Sequence, residues 1–109
     1  YTGNGNSNGT FVYTGFRPRL IFTKRFDGGS ENWGVFDTAR ANFNPTSEHS
    51  DGQLVWDTAN AATAGSTHGV DFLSNGFKLR GTGGLNNDSG GEYIYGAWGD
   101  VPFKYNNTF

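Results

Sequence analysis

The chain has 109 residues, a formal net charge of −2 and no cysteine. A single small domain fits that length, since domains run from about 50 to 250 residues. The charge leaves no basic footprint for nucleic acid, and the missing cysteines exclude disulfides, thiolate zinc sites and thiol catalysis. Glycine supplies 18 residues, well above an ordinary share of about 7 %. The 18 aromatic residues outnumber the 12 leucines, isoleucines and valines. Turn formers and aromatics together suit short strands joined by tight turns. The chain reads as an ordered all-β domain in which aromatics take the place of missing aliphatics in the core.

Residues 1–9 are polar, rich in Gly and Asn and without periodicity, which predicts a flexible lead-in. Alternation starts at Thr10–Thr14 and is broken by Pro18, which lacks the donor a ladder needs. A stronger strand follows over Arg19–Phe26, with Leu20 and Phe22 on one side and Arg19, Ile21 and Thr23 on the other. After the turn at Asp27-Gly28-Gly29-Ser30, Asn32–Ala39 is a third strand, with Trp33, Val35 and Asp37 opposite Gly34, Phe36 and Thr38. Residues 40–52 form a loop, and Gln53–Thr58 is a short strand with Leu54 and Trp56 on one side. In the small, polar stretch 59–69, Ala61, Ala62 and Ala64 have the makings of one helical turn, ended by Gly65. Val70–Leu73 and Phe77–Arg80 then flank Ser74-Asn75-Gly76, and Asn-Gly is a strong hairpin signal. Phe72, Phe77 and Leu79 are expected to point inward. A second Gly/Asn-rich loop covers 81–91. Glu92–Trp98 is the last strong strand, with 101–105 as its continuation. Seven or so short strands at this spacing indicate a sandwich or barrel.

The motifs occur in a telling order: YTGNG at 1–5, GFRP at 15–18, Lys24-Arg25 closing an aromatic strand, and NWGVFDTAR at 32–40. FLSNGFKL follows at 72–79 and GGEYIYGAWGDVPFKY at 90–105. From Tyr1 to about Asn106 this set resembles a domain of bacteriophage virion proteins, tail-fibre and related appendage proteins especially. Such domains stand near concanavalin-like and SPRY-like jelly-roll modules. The resemblance implies an antiparallel β-sandwich with little or no helix, displayed on a virion surface, and it carries over no catalytic residues.

Chemistry beyond that is thin. Glycoside hydrolysis needs two carboxyl groups roughly 5–9.5 Å apart. The three glutamates, Glu31, Glu48 and Glu92, are scattered, and no Glu-x-Asp or Glu-x-Glu pair occurs. Asp37, Asp57 and Asp71 read as turn caps or ion-pair partners, with Asp37 and Arg40 closing a turn. His49 and His68 lie in loops. Gly81-Thr82-Gly83-Gly84 lacks the Gly-Lys-Ser/Thr and the following helix of a phosphate loop. Asn86-Asn87-Asp88-Ser89 has the oxygen-rich character that calcium favours but not the EF-hand spacing, so no cofactor is expected and calcium stands as the alternative there. Asn8, Asn87 and Asn106 open N-x-Ser/Thr sequons.

The tryptophans carry the binding question. Trp56, beside Asp57 and the long loops, is the best candidate for an exposed carbohydrate-stacking face, but ordinary tryptophan burial favours the core for it too. Trp33 and Trp98 fall inside strands and are expected in the core. The expected ligand- or partner-contacting set is therefore Trp56, Asp57, His49, His68, Asn86, Asn87 and Asp88.

The sequence thus points to a non-enzymatic virion structural module that mediates assembly, attachment to a host-surface glycan, or both. Loops 40–52, 59–69 and 81–91 are its contact elements. Its expected partners are copies of itself, which would add stability to a small unstapled core, other virion proteins and a cell-surface glycan. Nucleic acid is not a partner, and membrane insertion is not expected: the longest strictly apolar run is three residues, as at Leu20-Ile21-Phe22, where a spanning helix needs about 20. The alternatives are a carbohydrate-active depolymerase and an extracellular adhesin or filament subunit encoded by the host. No secretory signal is read. With Tyr1 first and no methionine, the chain reads as processed or as part of something longer.

Overall fold

Seven short strands appear in the computed structural model, which describes residues 1–39, 53–61 and 67–99. They are β1 (Phe11–Tyr13), β2 (Leu20–Arg25), β3 (Gly34–Asp37), β4 (Leu54–Val55), β5 (Val70–Leu73), β6 (Gly76–Leu79) and β7 (Tyr93–Trp98). Each lies within or beside a stretch where the sequence alternates, and most are trimmed by one to three residues at their ends, where ladder pairing runs out before the alternation does. Among the described residues there is no helix.

All pairings are antiparallel. One sheet has the order β1-β6-β5 and the other β4-β3-β2-β7. Their inner faces meet in one core, built from Val12, Ile21, Phe36, Val70, Phe72, Phe77, Leu79 and Leu85. This is a two-sheet β-sandwich. Phe72, Phe77 and Leu79 point inward as their alternation requires, with the last two fully buried. Ile21 and Thr23 supply β2's inner face, which leaves Leu20 and Phe22 on the outer one. Each buried large apolar side chain contributes on the order of 1.5–3 kcal/mol.

Three expectations are corrected. Among the described residues, aliphatics rather than aromatics lead the core: the buried apolar side chains there are six Val, Ile and Leu residues against Phe36, Phe72, Phe77 and Tyr93. Phe11, Tyr13, Phe26, Trp56, Tyr95 and Trp98 are exposed. The alternation fixes which residues share a face; it does not say which face is covered.

The hairpin turn is also tighter than expected. Leu73 pairs with Gly76, so Ser74-Asn75 alone form the turn. Gly76 is there for close approach rather than for an unusual φ. A Cβ on it would lie 2.1 Å from the carbonyl oxygen of Val12, so only glycine lets β1 pair so closely with β6.

Finally, residues 1–9 are not a loose lead-in. Tyr1 and Tyr93 exchange two backbone hydrogen bonds of 2.9 Å, and Thr2 bridges Glu92. Gly3 N donates to Gly91 O at 2.8 Å and Gly90 N to Gly3 O at 3.0 Å. The segment is a strap laid along the outer edge of β7. Beyond it, Asn6 N donates to Asn4 Oδ1 and Asn8 N to Asn6 Oδ1, at 3.0 and 2.8 Å, in two successive Asx turns. These wrap the loop around Asn87. The Gly/Asn composition correctly marks a loop, but its order comes from partners some eighty residues away in the chain.

Candidate aromatic binding platform

On the outer face of the four-stranded sheet, strand register decides which side chains meet. Phe22 pairs with Val35 on one side and Gly96 on the other. Leu20 pairs with Trp98, and Lys24 with Ile94. Val35 pairs with Leu54, and Trp56 N donates to Trp33 O at 3.2 Å, which carries the β3–β4 register one step further. Alternation then places Trp33, Trp56, Phe22 and Trp98 on one face.

Their rings converge on Phe22. The ring centroids of Trp33, Trp56 and Trp98 lie 5.5, 5.6 and 5.6 Å from that of Phe22, tilted by 59°, 43° and 44°. These are all three tryptophans of the chain. Trp56 is 56 % exposed and Trp98 50 % exposed, while Phe22 and Trp33 are half-buried. Polar groups border the rings. The Lys24 ammonium sits 5.9 Å from the Trp33 ring centroid and donates to Glu31 O. Asp57 accepts the Trp33 backbone N–H through Oδ1 at 3.3 Å.

The expectation that Trp33 and Trp98 are core residues is thereby overturned. In β7 the inward parity belongs to Tyr93, which is buried, and Trp98 has the opposite parity. Trp56 and Asp57 do lie at the platform, and the exposure of Trp56 corrects the core burial that ordinary tryptophan behaviour favours. Nothing local in the sequence marks Phe22, Lys24 or Gly96 as site residues. Their signal is the cross-strand register, which needs to know that β2 lies between β3 and β7.

The other expected contact residues lie apart from this face. Asn86 and Asn87 are fully buried. Asn86 Nδ2 donates to His68 O at 2.9 Å. Asn87 Nδ2 faces Gly81 O, Asn6 O and Asn4 Oδ1 at 2.7, 3.0 and 3.2 Å, and its Oδ1 accepts Asn4 N at 3.1 Å. Both side chains hold the 81–91 loop together instead of facing a ligand, and Asn87 is too enclosed to carry a glycan at its sequon. Asp88 Oδ2 receives Arg25 Nη1 at 2.6 Å, an ion pair that ties the 81–91 loop to the end of β2. Among the described residues no three His, Cys, Asp or Glu side chains converge as metal ligands.

His68 packs against Gly83, where a Cβ would come within 2.3 Å of Nε2. Burial pulls its pKa below the ordinary histidine value, with the charge of Glu31 acting in the opposite direction. His49, Arg40 and residues 62–66 and 101–105 lie outside the described residues. Asp37 accepts Ala39 N at 2.9 Å, the turn-capping role expected of it.

Residues 1–102 match the sequence profile of a domain of unknown function, DUF7483. The chain belongs to the DUF7483 family. No curated protein and no solved structure matches it.

The strap should give this DUF7483 domain an alkaline response of its own. Tyr1 stacks on Tyr93 with centroids 5.0 Å apart and meets the edge of Phe77. Tyr1 Oη donates to Asn86 O at 2.7 Å; Tyr93 Oη donates to Gly84 O at 2.6 Å and accepts Asp88 N at 2.9 Å. Burial is the main cause that pushes both phenols above the ordinary tyrosine value. For Tyr1 the neighbouring Tyr93 adds to the rise; for Tyr93 the Asp88 N–H and Arg25 oppose it. Below the unfolded value of about 10 the stability contribution is whole. Above it the unfolded chain ionises first and that contribution drains away. Urea midpoints should therefore fall as pH rises beyond about 10, and the fall should shrink in Tyr1→Phe. A midpoint that falls equally in the variant would remove Tyr1 from the effect.

Proposed function

We propose that this domain is a non-enzymatic attachment module of a phage virion surface, which holds a host-surface glycan on its aromatic platform. The observation that carries the reading is the gathering of all three tryptophans around Phe22 on a solvent-facing sheet, two of them half exposed. Large exposed apolar patches on small soluble domains mark interaction sites. Aromatic faces bordered by a cation and a carboxylate suit a ligand with apolar C–H faces and many hydroxyls, as a sugar ring has. The ordered motifs from YTGNG to the closing aromatic strand support the virion setting.

Contact with copies of itself and with other virion proteins fits the opposite sheet. There Phe11 and Tyr13 stand outward on the edge strand β1, Tyr13 at 69 % exposure. One sheet would then face the particle and the other the host.

The test is binding of purified protein to host cells and to a glycan array. Trp56→Ala and Trp98→Ala should each weaken binding about tenfold or more, a change of about 1.4 kcal/mol. Because both side chains are half exposed, each variant should remain folded, with a stability loss well below the roughly 3–5 kcal/mol of a core aromatic. Unchanged binding in both variants would overturn the reading, and unfolding in either would return that tryptophan to the core.

A further inference from the structure

The aromatic platform has a direction. Strands β4, β3, β2 and β7 lie side by side in that order, and each contributes one ring from its body or its flank: Trp56, Trp33, Phe22 and Trp98. By register, Trp56 and Trp33 share a level, Phe22 lies two residue pairs along, the next position on the same face, and Trp98 two pairs further. The rings thus form an oblique stripe across the whole sheet. Phe22 is 5.6 Å from both exposed tryptophans, so these lie within twice that distance of each other. One hexopyranose unit advances a glycan chain by a length comparable to one of those ring-to-ring steps.

We infer that the platform grips the interior of a linear glycan chain over three successive sugar units, aligned with Trp56, Phe22 and Trp98, and not a single terminal sugar. This rests on the glycan reading above. Gly96 sets the spacing. It faces Phe22 across the ladder, and a Cβ there would lie 2.4 Å from Phe22 Cε1 and 3.0 Å from Trp98 Cη2. Bare backbone at this position lets the Phe22 and Trp98 rings sit side by side, and any side chain would push them out of line. Lys24 and Asp57 border the stripe near Trp33, where they offer a donor and an acceptor for ring hydroxyls.

The test is calorimetric titration of the full chain with linear oligosaccharide ladders of glucose, galactose, mannose, rhamnose and N-acetylglucosamine, each from one to six units. In the ladder that binds, affinity should climb about tenfold per unit up to the trisaccharide and then level off; tenfold is about 1.4 kcal/mol. Gly96→Ala keeps every aromatic residue and should abolish the gain from the third unit. Trp98→Ala, which removes no buried side chain, should lose the same step and serves if the Gly96 variant does not fold. A monosaccharide bound as tightly as its trimer overturns the three-unit inference while leaving a terminal-sugar version of the glycan function intact. Failure of every ladder to bind at millimolar concentration overturns the glycan function itself, and the inference with it.

Discussion

Asn87→Ala should destabilise the domain by about 3–5 kcal/mol, a large share of the roughly 5–15 kcal/mol that holds a domain folded. The side chain is fully buried and uses both ends. Its amide group faces the carbonyls of Gly81 and Asn6, and its oxygen receives the N–H of Asn4. Alanine leaves those groups without partners, each at a cost of about 1–3 kcal/mol where it stays dry. Gly9, close by, has no room for a shifted chain: a Cβ there would meet Leu79 O at 2.1 Å and Asn87 Nδ2 at 2.9 Å. Urea denaturation is the measurement. A loss below about 1 kcal/mol, the scale of an ordinary net hydrogen bond, would mean that water replaces the side chain and that Asn87 is not the pin of the loop.

Deleting residues 1–9 should cost at least as much, about 4–6 kcal/mol. Without the strap, the Tyr93 and Phe77 rings lose the cover of Tyr1, and the outer edge of β7 loses its pairing at Tyr93 and Glu92. The two changes are not independent, because three of the four polar contacts of the Asn87 side chain run to the strap. In the shortened chain Asn87→Ala should cost less than in the full chain, with a coupling of about 1–3 kcal/mol. Strict additivity would refute the shared network. If the shortened chain does not fold, Tyr1→Ala paired with Asn87→Ala gives the same cycle on a milder scale. A truncation with no effect on the denaturation midpoint would restore the loose lead-in that the composition alone suggests.

What the sequence made legible was local. The β5–β6 hairpin shows itself through Asn75-Gly76 and the inward Phe72, Phe77 and Leu79, all within ten residues. The parity of β2 is equally plain, since Ile21 and Thr23 must take the side opposite Leu20 and Phe22. The two-sheet architecture follows from the count and spacing of such runs. What stayed hidden depends on neighbours far along the chain. In YIYGAW both parities are apolar, so nothing local tells that Tyr93 goes inward and Trp98 outward; the pairing with β2 decides it. Trp56 could be picked out by its loop-side position and its neighbour Asp57. Phe22, the ring on which the platform is built, looks like any core phenylalanine until β2 is known to lie mid-sheet. Asn86 and Asn87 fail for a related reason: polar residues in a Gly-rich loop suggest solvent, yet long-range contacts bury them where their amides replace absent secondary structure.

The placement of the tryptophans also decides what light can report. Every indole of the domain lies on one outer face, and none belongs to the core between the sheets. Intrinsic tryptophan emission from this protein is therefore a surface signal. Its colour and intensity follow what settles on the sheet, and the tyrosines between the sheets are the native probes of the interior.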